Sequence, residues 1–398
     1  MLLFLLLLVA FPAAAAAPAS QSWGLWPTLP LAPYGTRATV VREVVKDRIW
    51  TLDQLQGTLY VQVPVRMSVI REERGLVCYA PVAPTQECLQ HVRAIEAKYG
   101  ARVVDIVLPT LGVEHKVFVG PFARAFPKAN VWYTPGQYSF PLNFRDLKFL
   151  GIDARPIDSL EGFEVLTLGP LVPPGNGGFG ETAIYHRPTK TLFLVDTVVA
   201  VRGPPTVIPE KPLRFHSRSS IDEAAGDLEK GWRHLVLFAF FFQPSALTVV
   251  PVPDCFDTSA NKNPGEFGYF DVYPFEWDAR RTRLSFDTLR KKRLFVAPIL
   301  QELILNRHPV EVQAWVDRIC AFDFDKIVPC HLEPVISARP SDFRRAFDFL
   351  KTGAAPDFLE ADLQALRDLE KDLVASGEIS PRPLLDPPPR RRPFFMPP

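Results

Sequence analysis

Cysteine is scarce in this chain, and its spacing matches no common chemical use. Cys78, Cys88, Cys255, Cys320 and Cys330 form no C-x-x-C pair and no repeating framework, so neither a zinc finger nor a disulfide scaffold is expected. Excess charge of one sign is also lacking: 45 basic and 44 acidic residues leave a net charge of +1. Such a chain has no long-range field to draw it to a polyanion, so no nucleic-acid partner is expected. No G-x-S-x-G stands ready to carry a serine nucleophile. The glycine-rich stretch Gly175-Asn176-Gly177-Gly178-Phe179-Gly180-Glu181 lacks the G-K-[ST] ending of a phosphate loop and leads into a strand, Thr182 to His186. Its glycines suit a close approach of backbone to a site or to another strand.

Lysine and arginine are absent before Arg37. Leu2 to Val9 is an unbroken apolar run, followed by Ala10-Phe11-Pro12 and the small-residue tract Ala13 to Ser20, the pattern of a secretory signal with its cleavage region. The run is too short for a membrane span, and the missing basic residues depart from the usual signal. The Ala10-Phe11-Pro12 junction also resembles the start of the bipartite plastid leaders of algae with complex plastids. The expected location is therefore the secretory pathway or a plastid, with residues 1–20 a targeting segment and 21–48 a linker. At the other end, Pro387-Pro388-Pro389 and Arg390-Arg391-Arg392 place a disordered tail over 381–398.

Between these ends lies ample material for a core: 398 residues with 47% hydrophobic and 22% charged content read as an ordinary globular protein. Short strands are expected at Ile49–Leu52, Thr58–Val63, Met67–Arg71 and Gly75–Pro81, with a hairpin turn over Glu72-Glu73-Arg74-Gly75. A helix follows from Thr85 to Tyr99, with Thr85 as its cap, Leu89, Val92 and Ile95 at helical spacing, and Gly100 as its stop. Further strands are expected at Asn130–Tyr133 and Phe163–Leu168. Leu235 to Phe242, bounded by Gln243-Pro244, reads as a buried helix, with Ser245 to Val252 extended beyond it. A membrane-facing or acyl-binding surface over 232–252 is the alternative. Val201 to Arg293 is long enough for a helical cap or insertion, and Asp357 to Leu373 forms a charged helix with Leu363, Leu366 and Leu373, inside a C-terminal segment of 353–380.

Three stretches carry chemistry. Val103 to Leu108 is an apolar strand that leads through Pro109-Thr110-Leu111-Gly112-Val113 to Glu114 and His115, ahead of a helix read from Lys116 to Phe126. Ligands gather at such strand ends, and a carboxylate beside an imidazole can converge on one ion. The second stretch is the hairpin Ala183-Ile184-Tyr185-His186, turning through Arg187-Pro188-Thr189-Lys190 into Thr191-Leu192-Phe193-Leu194-Val195-Asp196. A carboxylate ending a buried strand needs a cation, a basic side chain or backbone donors. The third is Lys326-Ile327-Val328-Pro329-Cys330-His331, another short apolar strand ending in a histidine, with Cys330 read as a small buried hydrophobe in preference to a ligand or nucleophile. His91, His186 and His308 read as structural. His216 and His234 lie in the insertion, within reach of a pocket but more often core or surface residues in such a setting.

On these residues the chain resembles the metallo-β-lactamase superfamily, and more closely its domain-of-unknown-function 4336 branch of plants, algae and bacteria, over roughly Ile49 to Phe349. The superfamily's first motif, H-x-H-x-D-H, aligns with Thr110, Leu111, Gly112, Val113, Glu114 and His115. A later family histidine falls near Asn176 or Gly177, where none is present, while Asp196 and His331 match the family's later strand-ending ligands. The resemblance implies an α+β, four-layer αββα sandwich spanning 49–352 with a cap over 201–293. It implies that the first metal position is lost and the second retained as Glu114, His115, Asp196 and His331.

That set suits one divalent ion, Zn, Fe or Mn, with Glu114 either a ligand or a base beside the ion. The function implied is a single-metal hydrolase acting on a small molecule. The alternatives are a non-catalytic binding or scaffold protein on the same fold, and a membrane-associated lipid-handling protein.

Overall fold

The computed structural model describes residues 19–23, 31–33, 35–58, 60–136, 151–171, 178–218, 227–251, 273–352 and 358–383. Its first sheet is built from β1 (Leu31–Ala32), β2 (Val40–Val45), β3 (Ile49–Thr58), β4 (Val61–Glu72), β5 (Gly75–Tyr79), β6 (Val103–Leu108), β7 (Asn130–Tyr133) and β8 (Arg155–Pro156). The strands up to β5 pair antiparallel, and β5 to β8 run parallel. Two helices connect the parallel strands: α1 (Gln86–Tyr99) lies between β5 and β6, and α2 (Val113–Ala125) between β6 and β7.

The second sheet has the order β15-β14-β11-β10-β9. Its strands β9 (Glu164–Leu171), β10 (Phe179–His186) and β11 (Thr191–Leu194) are consecutive and antiparallel. The chain then leaves the sheet through α3 (Glu210–His216), α4 (Leu228–Phe241), the ribbon β12 (Leu247–Val249) with β13 (Phe275–Trp277), and α5 (Ala279–Arg290). It returns through α6 (Pro298–Leu303) and α7 (Pro309–Ile319) to β14 (Lys326–Pro329), which pairs parallel to β11, and β15 (Ile336–Ser337). The helices α8 (Pro340–Ala346), α9 (Phe349–Thr352) and α10 (Glu360–Ala375) close the described chain.

Alternation along the strands makes the layers. Ile70, Val77, Tyr79 and Val107 of the first sheet meet Ile184, Phe193 and Val328 of the second in one shared core. The opposite faces bury Leu52, Met67, Leu76 and Cys78 under α1 and α2, and Leu166, Tyr185, Leu192 and Ile327 under α7 and α8. Helix, sheet, sheet, helix is thus the layer order, and both sheets are mixed. Each fully buried side chain in these layers contributes roughly 1.5–3 kcal/mol by leaving water.

Several boundaries differ from the sequence reading. Thr58–Val63 is not a strand of its own: it straddles the hairpin between β3 and β4, two long strands paired from Ile49↔Ile70 to Thr58↔Val61. Residues 21–48 are not merely a linker, because β1 and β2 both add to β3, and Arg37 is buried with its guanidinium donating to Leu55 O at 2.9 Å. Phe179, Gly180 and Glu181 belong to β10, not to a glycine loop. Gly175 to Gly177, Cys255 and the ends 1–18 and 384–398 lie outside the described residues. The helix α1 has the expected limits: Thr85 Oγ1 accepts from Cys88 N, and Gly100 sits at φ +61° in the left-handed region.

The stretch 201–293 packs through Trp232, Leu235, Leu237, Phe241 and Phe286 into an apolar core that it shares with Leu55, Leu332 and Leu363. Phe240 and Phe241, at the apolar end of α4, face Phe295 and Phe358 at ring distances of 5.3 and 5.9 Å. Among the described residues no helix is long and apolar enough to cross a membrane. In α10, Leu363 and Leu366 are buried and Leu373 is half-buried.

Candidate metal centre

The parallel strands set the site at their C-terminal ends. β6 ends at Leu108, and the segment beyond it is stitched to the second sheet: Leu111 N donates to Gly180 O at 3.1 Å, and Thr182 N to Pro109 O at 2.8 Å. Thr110 Oγ1 accepts from Gly112 N at 3.0 Å, turning the chain into α2. That helix starts at Val113, three residues earlier than the sequence suggests, so Glu114 and His115 lie in its first turn. No side-chain cap marks this start, since Gly112 is the N-cap.

Glu114, Asp196 and His331 converge, each offering a ligand atom within 4.8 Å of the others. His331 follows β14, and its Nδ1 donates to Pro64 O at 3.0 Å, which directs Nε2 to Asp196 Oδ1 at 3.0 Å. His115 stands beside this trio, its ring 6.0 Å from that of His331. It is fully buried, and its Nδ1 donates to Pro81 O at 3.2 Å. A carbonyl can only accept, so the proton sits on Nδ1 and the lone pair on Nε2, which has no partner. Carbonyl-anchored Nδ1 atoms on both histidines give the arrangement that orients an imidazole for a metal.

The electrostatics follow from burial and like charge. Burial, and then the charge of Asp196, push the Glu114 carboxyl up to about 7. Burial, and then His331, push His115 down to about 4, so its ring is neutral. For His331 burial opposes protonation, but the hydrogen bond and charge of Asp196 outweigh it and raise its pKa. Two carboxylates and one imidazole converge, a set that a divalent cation would neutralise and whose O,O,N donors fit one; His115, expected as a fourth ligand, lies beside this set and outside it.

Two buried groups that sequence reasoning passed over hold this geometry. Glu181, in β10, is fully buried and accepts from Val195 N (3.0 Å), Asp196 N (2.8 Å), Thr197 N (3.0 Å) and Thr197 Oγ1 (2.8 Å). It fixes the backbone that presents Asp196, while burial and Asp196 push its own carboxyl up to about 7. Arg66, in β4, is also fully buried; it pairs with Asp53 at 2.7 and 2.9 Å and donates to Pro329 O at 2.6 Å and Leu332 O at 2.9 Å. It grips both sides of His331 and helps hold Leu332 at φ +56°, a left-handed backbone unfavourable for leucine. A signal existed for each, a charged residue inside an otherwise apolar strand.

The remaining histidines are elsewhere. His186 pairs with Glu72 and contacts Thr189, while His91 lies on α1 and His308 precedes α7. His216 and His234 are buried in the insertion among aromatic rings, the second stacked on Trp277 at 4.2 Å. Cys330 is buried and its thiol is pushed well up by burial, consistent with a core residue.

A family model for a domain of unknown function (DUF4336) matches residues 46–349, and the chain belongs to that family. The two face-to-face mixed sheets between helices give it the four-layer αββα sandwich expected from the sequence. No curated protein sequence matches it. Among solved structures, a metallo-β-lactamase of Pontibacter korlensis is 9% identical, with a TM-score of 0.37 over 79% of this chain and 99% of that one. The Flv1 flavodiiron core of Synechocystis sp. PCC6803 is 10% identical, with a TM-score of 0.38 over 79% of this chain. A flavo-di-iron protein of Thermotoga maritima is 7% identical, with a TM-score of 0.40 over 79% of this chain. The chain spans 61% and 63% of the lengths of these last two.

Proposed function

We propose that this member of the DUF4336 family is a hydrolase dependent on one divalent ion, held by Glu114, Asp196 and His331 with His115 beside them. The observation that carries the reading is the convergence of two carboxylates and an imidazole within 4.8 Å, next to a buried imidazole nitrogen that has no partner. A bound divalent cation supplies Lewis acidity that polarises a carbonyl or phosphoryl oxygen. Pro64 O orients His331, whose Nε2 meets Asp196 Oδ1 at 3.0 Å, and Pro81 O orients His115, whose Nε2 carries the lone pair. Asp196 is held by the backbone donors that Glu181 collects. Glu114 either adds an oxygen to the ion or accepts the proton of an attacking water, a role suited to a carboxyl raised toward neutrality.

The first position of the superfamily's motif is filled by groups with other duties. Thr110 is buried and its hydroxyl serves the backbone of Gly112, which itself carries no ligand. Zn, Fe and Mn all suit the donor set. A metal-free binding protein is the second reading, favoured by the His331–Asp196 contact at 3.0 Å, in which the pair satisfies itself.

A panel of ester, thioester, lactam and phosphodiester substrates, assayed with and without added Zn, Fe or Mn, tests the proposal. Turnover that needs metal and disappears in Asp196→Ala supports it. Metal-independent ligand binding without turnover supports the second reading.

A further inference from the structure

Gly112 has a side-chain neighbour where a Cβ would stand. A Cβ built there lies 2.1 Å from Glu114 Oε1, 2.7 Å from Cδ and 2.8 Å from Oε2. Those are impossible contacts, so the Glu114 carboxylate occupies the space that any side chain at 112 would need. The backbone of Gly112, at φ −61° and ψ 139°, is one that every residue adopts. Glycine is therefore not required here for chain geometry. The clashing atoms are the far end of a flexible side chain, which can rotate away without disturbing the helix.

We infer that the glycine at 112 positions the Glu114 carboxylate in the Asp196–His331 centre, so the two residues form one unit in which a side chain at 112 and a glutamate at 114 exclude each other. The inference rests on the proposed metal centre for its functional meaning, but its packing claim stands on geometry alone. One consequence concerns restoring ligands at the first motif. A histidine placed at 112 would expel Glu114 from the centre, so adding that ligand would remove another.

The test is a double-mutant cycle of Gly112→Ala and Glu114→Asp in the full chain, read by crystal structures and by Zn(II) affinity in competition with a chromophoric chelator. Gly112→Ala is expected to fold with unchanged circular dichroism, to show the Glu114 carboxylate turned away from Asp196 and His331, and to bind Zn(II) roughly 10–100-fold more weakly. In the Glu114→Asp background, whose carboxylate is one methylene shorter, the same change at 112 is expected to cost little or nothing. A Gly112→Ala structure with the carboxylate in place, or an equal loss of affinity in both backgrounds, overturns the inference. Wild type that binds no Zn(II) overturns the metal reading instead, and the structure of the Gly112→Ala variant still decides the packing claim.

Discussion

Two pairs of histidines, His115 with the half-buried His331 and the buried His216 with His234, have surroundings that differ. His115, in the first turn of α2, and His331, just past β14, have Glu114 and Asp196 among their neighbours. His216 and His234 sit in the insertion against Phe215, Tyr273 and Trp277. Both pairs contain a buried ring nitrogen with no partner, on His115 and on His216. In the insertion no carboxylate shapes either ring: burial pushes both His216 and His234 down to about 3. In the centre Asp196 reverses that trend for His331. An imidazole in an aromatic shell is a core side chain, and the same ring beside two carboxylates has the surroundings in which a cation could be held.

The sharpest way to break the contrast is to cut what holds the charged region in place. Arg66→Ala leaves Asp53 buried and unpaired and frees the carbonyls around His331. A destabilisation of about 3–5 kcal/mol is expected, measured as a fall in the urea midpoint. The insertion offers the opposite test. His216 in the folded chain has its pKa lowered to about 3, against an unfolded value near 6.5. Below about pH 6.5 the unfolded chain therefore binds a proton that the folded chain refuses, and stability is lost as pH falls toward 3. His216→Leu is expected to flatten that dependence, with stability at pH 7 changed by less than about 1.5 kcal/mol. An unaltered pH dependence would show that His216 is not the buried neutral ring described above.

Smaller effects sharpen the comparison further. Glu181→Gln turns an acceptor for four donors into a group with an N–H end, and a loss of about 1–3 kcal/mol is expected together with weaker metal retention. If stability falls but metal binding does not, Glu181 supports the sheet rather than the centre. His234→Leu is expected to cost about 1 kcal/mol and leave metal content untouched, because the His216 carbonyl it serves also accepts from Tyr273 Oη at 3.0 Å.

Much of the scaffold was legible because local rules and tertiary structure agree. Thr85 and Gly100 bound α1 by capping chemistry, and the apolar strands before Asp196 and His331 stand out by composition. The start of α2 was not legible, since Gly112 gives no cap signal and the turn is made by Thr110 and by bonds to β10. Nor was the part of β1 and β2, whose short runs acquire meaning only by pairing with β3. At the centre, the carboxylates and histidines were visible as residue types at strand ends. Of their supports, Arg66 acts across the sheets on backbone groups far away in sequence, as in its bond to Pro329 O, and Glu181 acts on the end of the neighbouring strand β11. The charged residue inside an apolar strand was visible at each, but not the partner it would meet.

The central claim is that charge, not burial, makes one histidine pair a metal centre. Elemental analysis of the full chain purified under metal-replete conditions tests it directly, comparing wild type with His331→Ala and His216→Leu. Near-stoichiometric divalent metal in wild type and in His216→Leu, lost in His331→Ala, is the predicted result. Metal-free wild type, or metal retained by His331→Ala, would contradict the account.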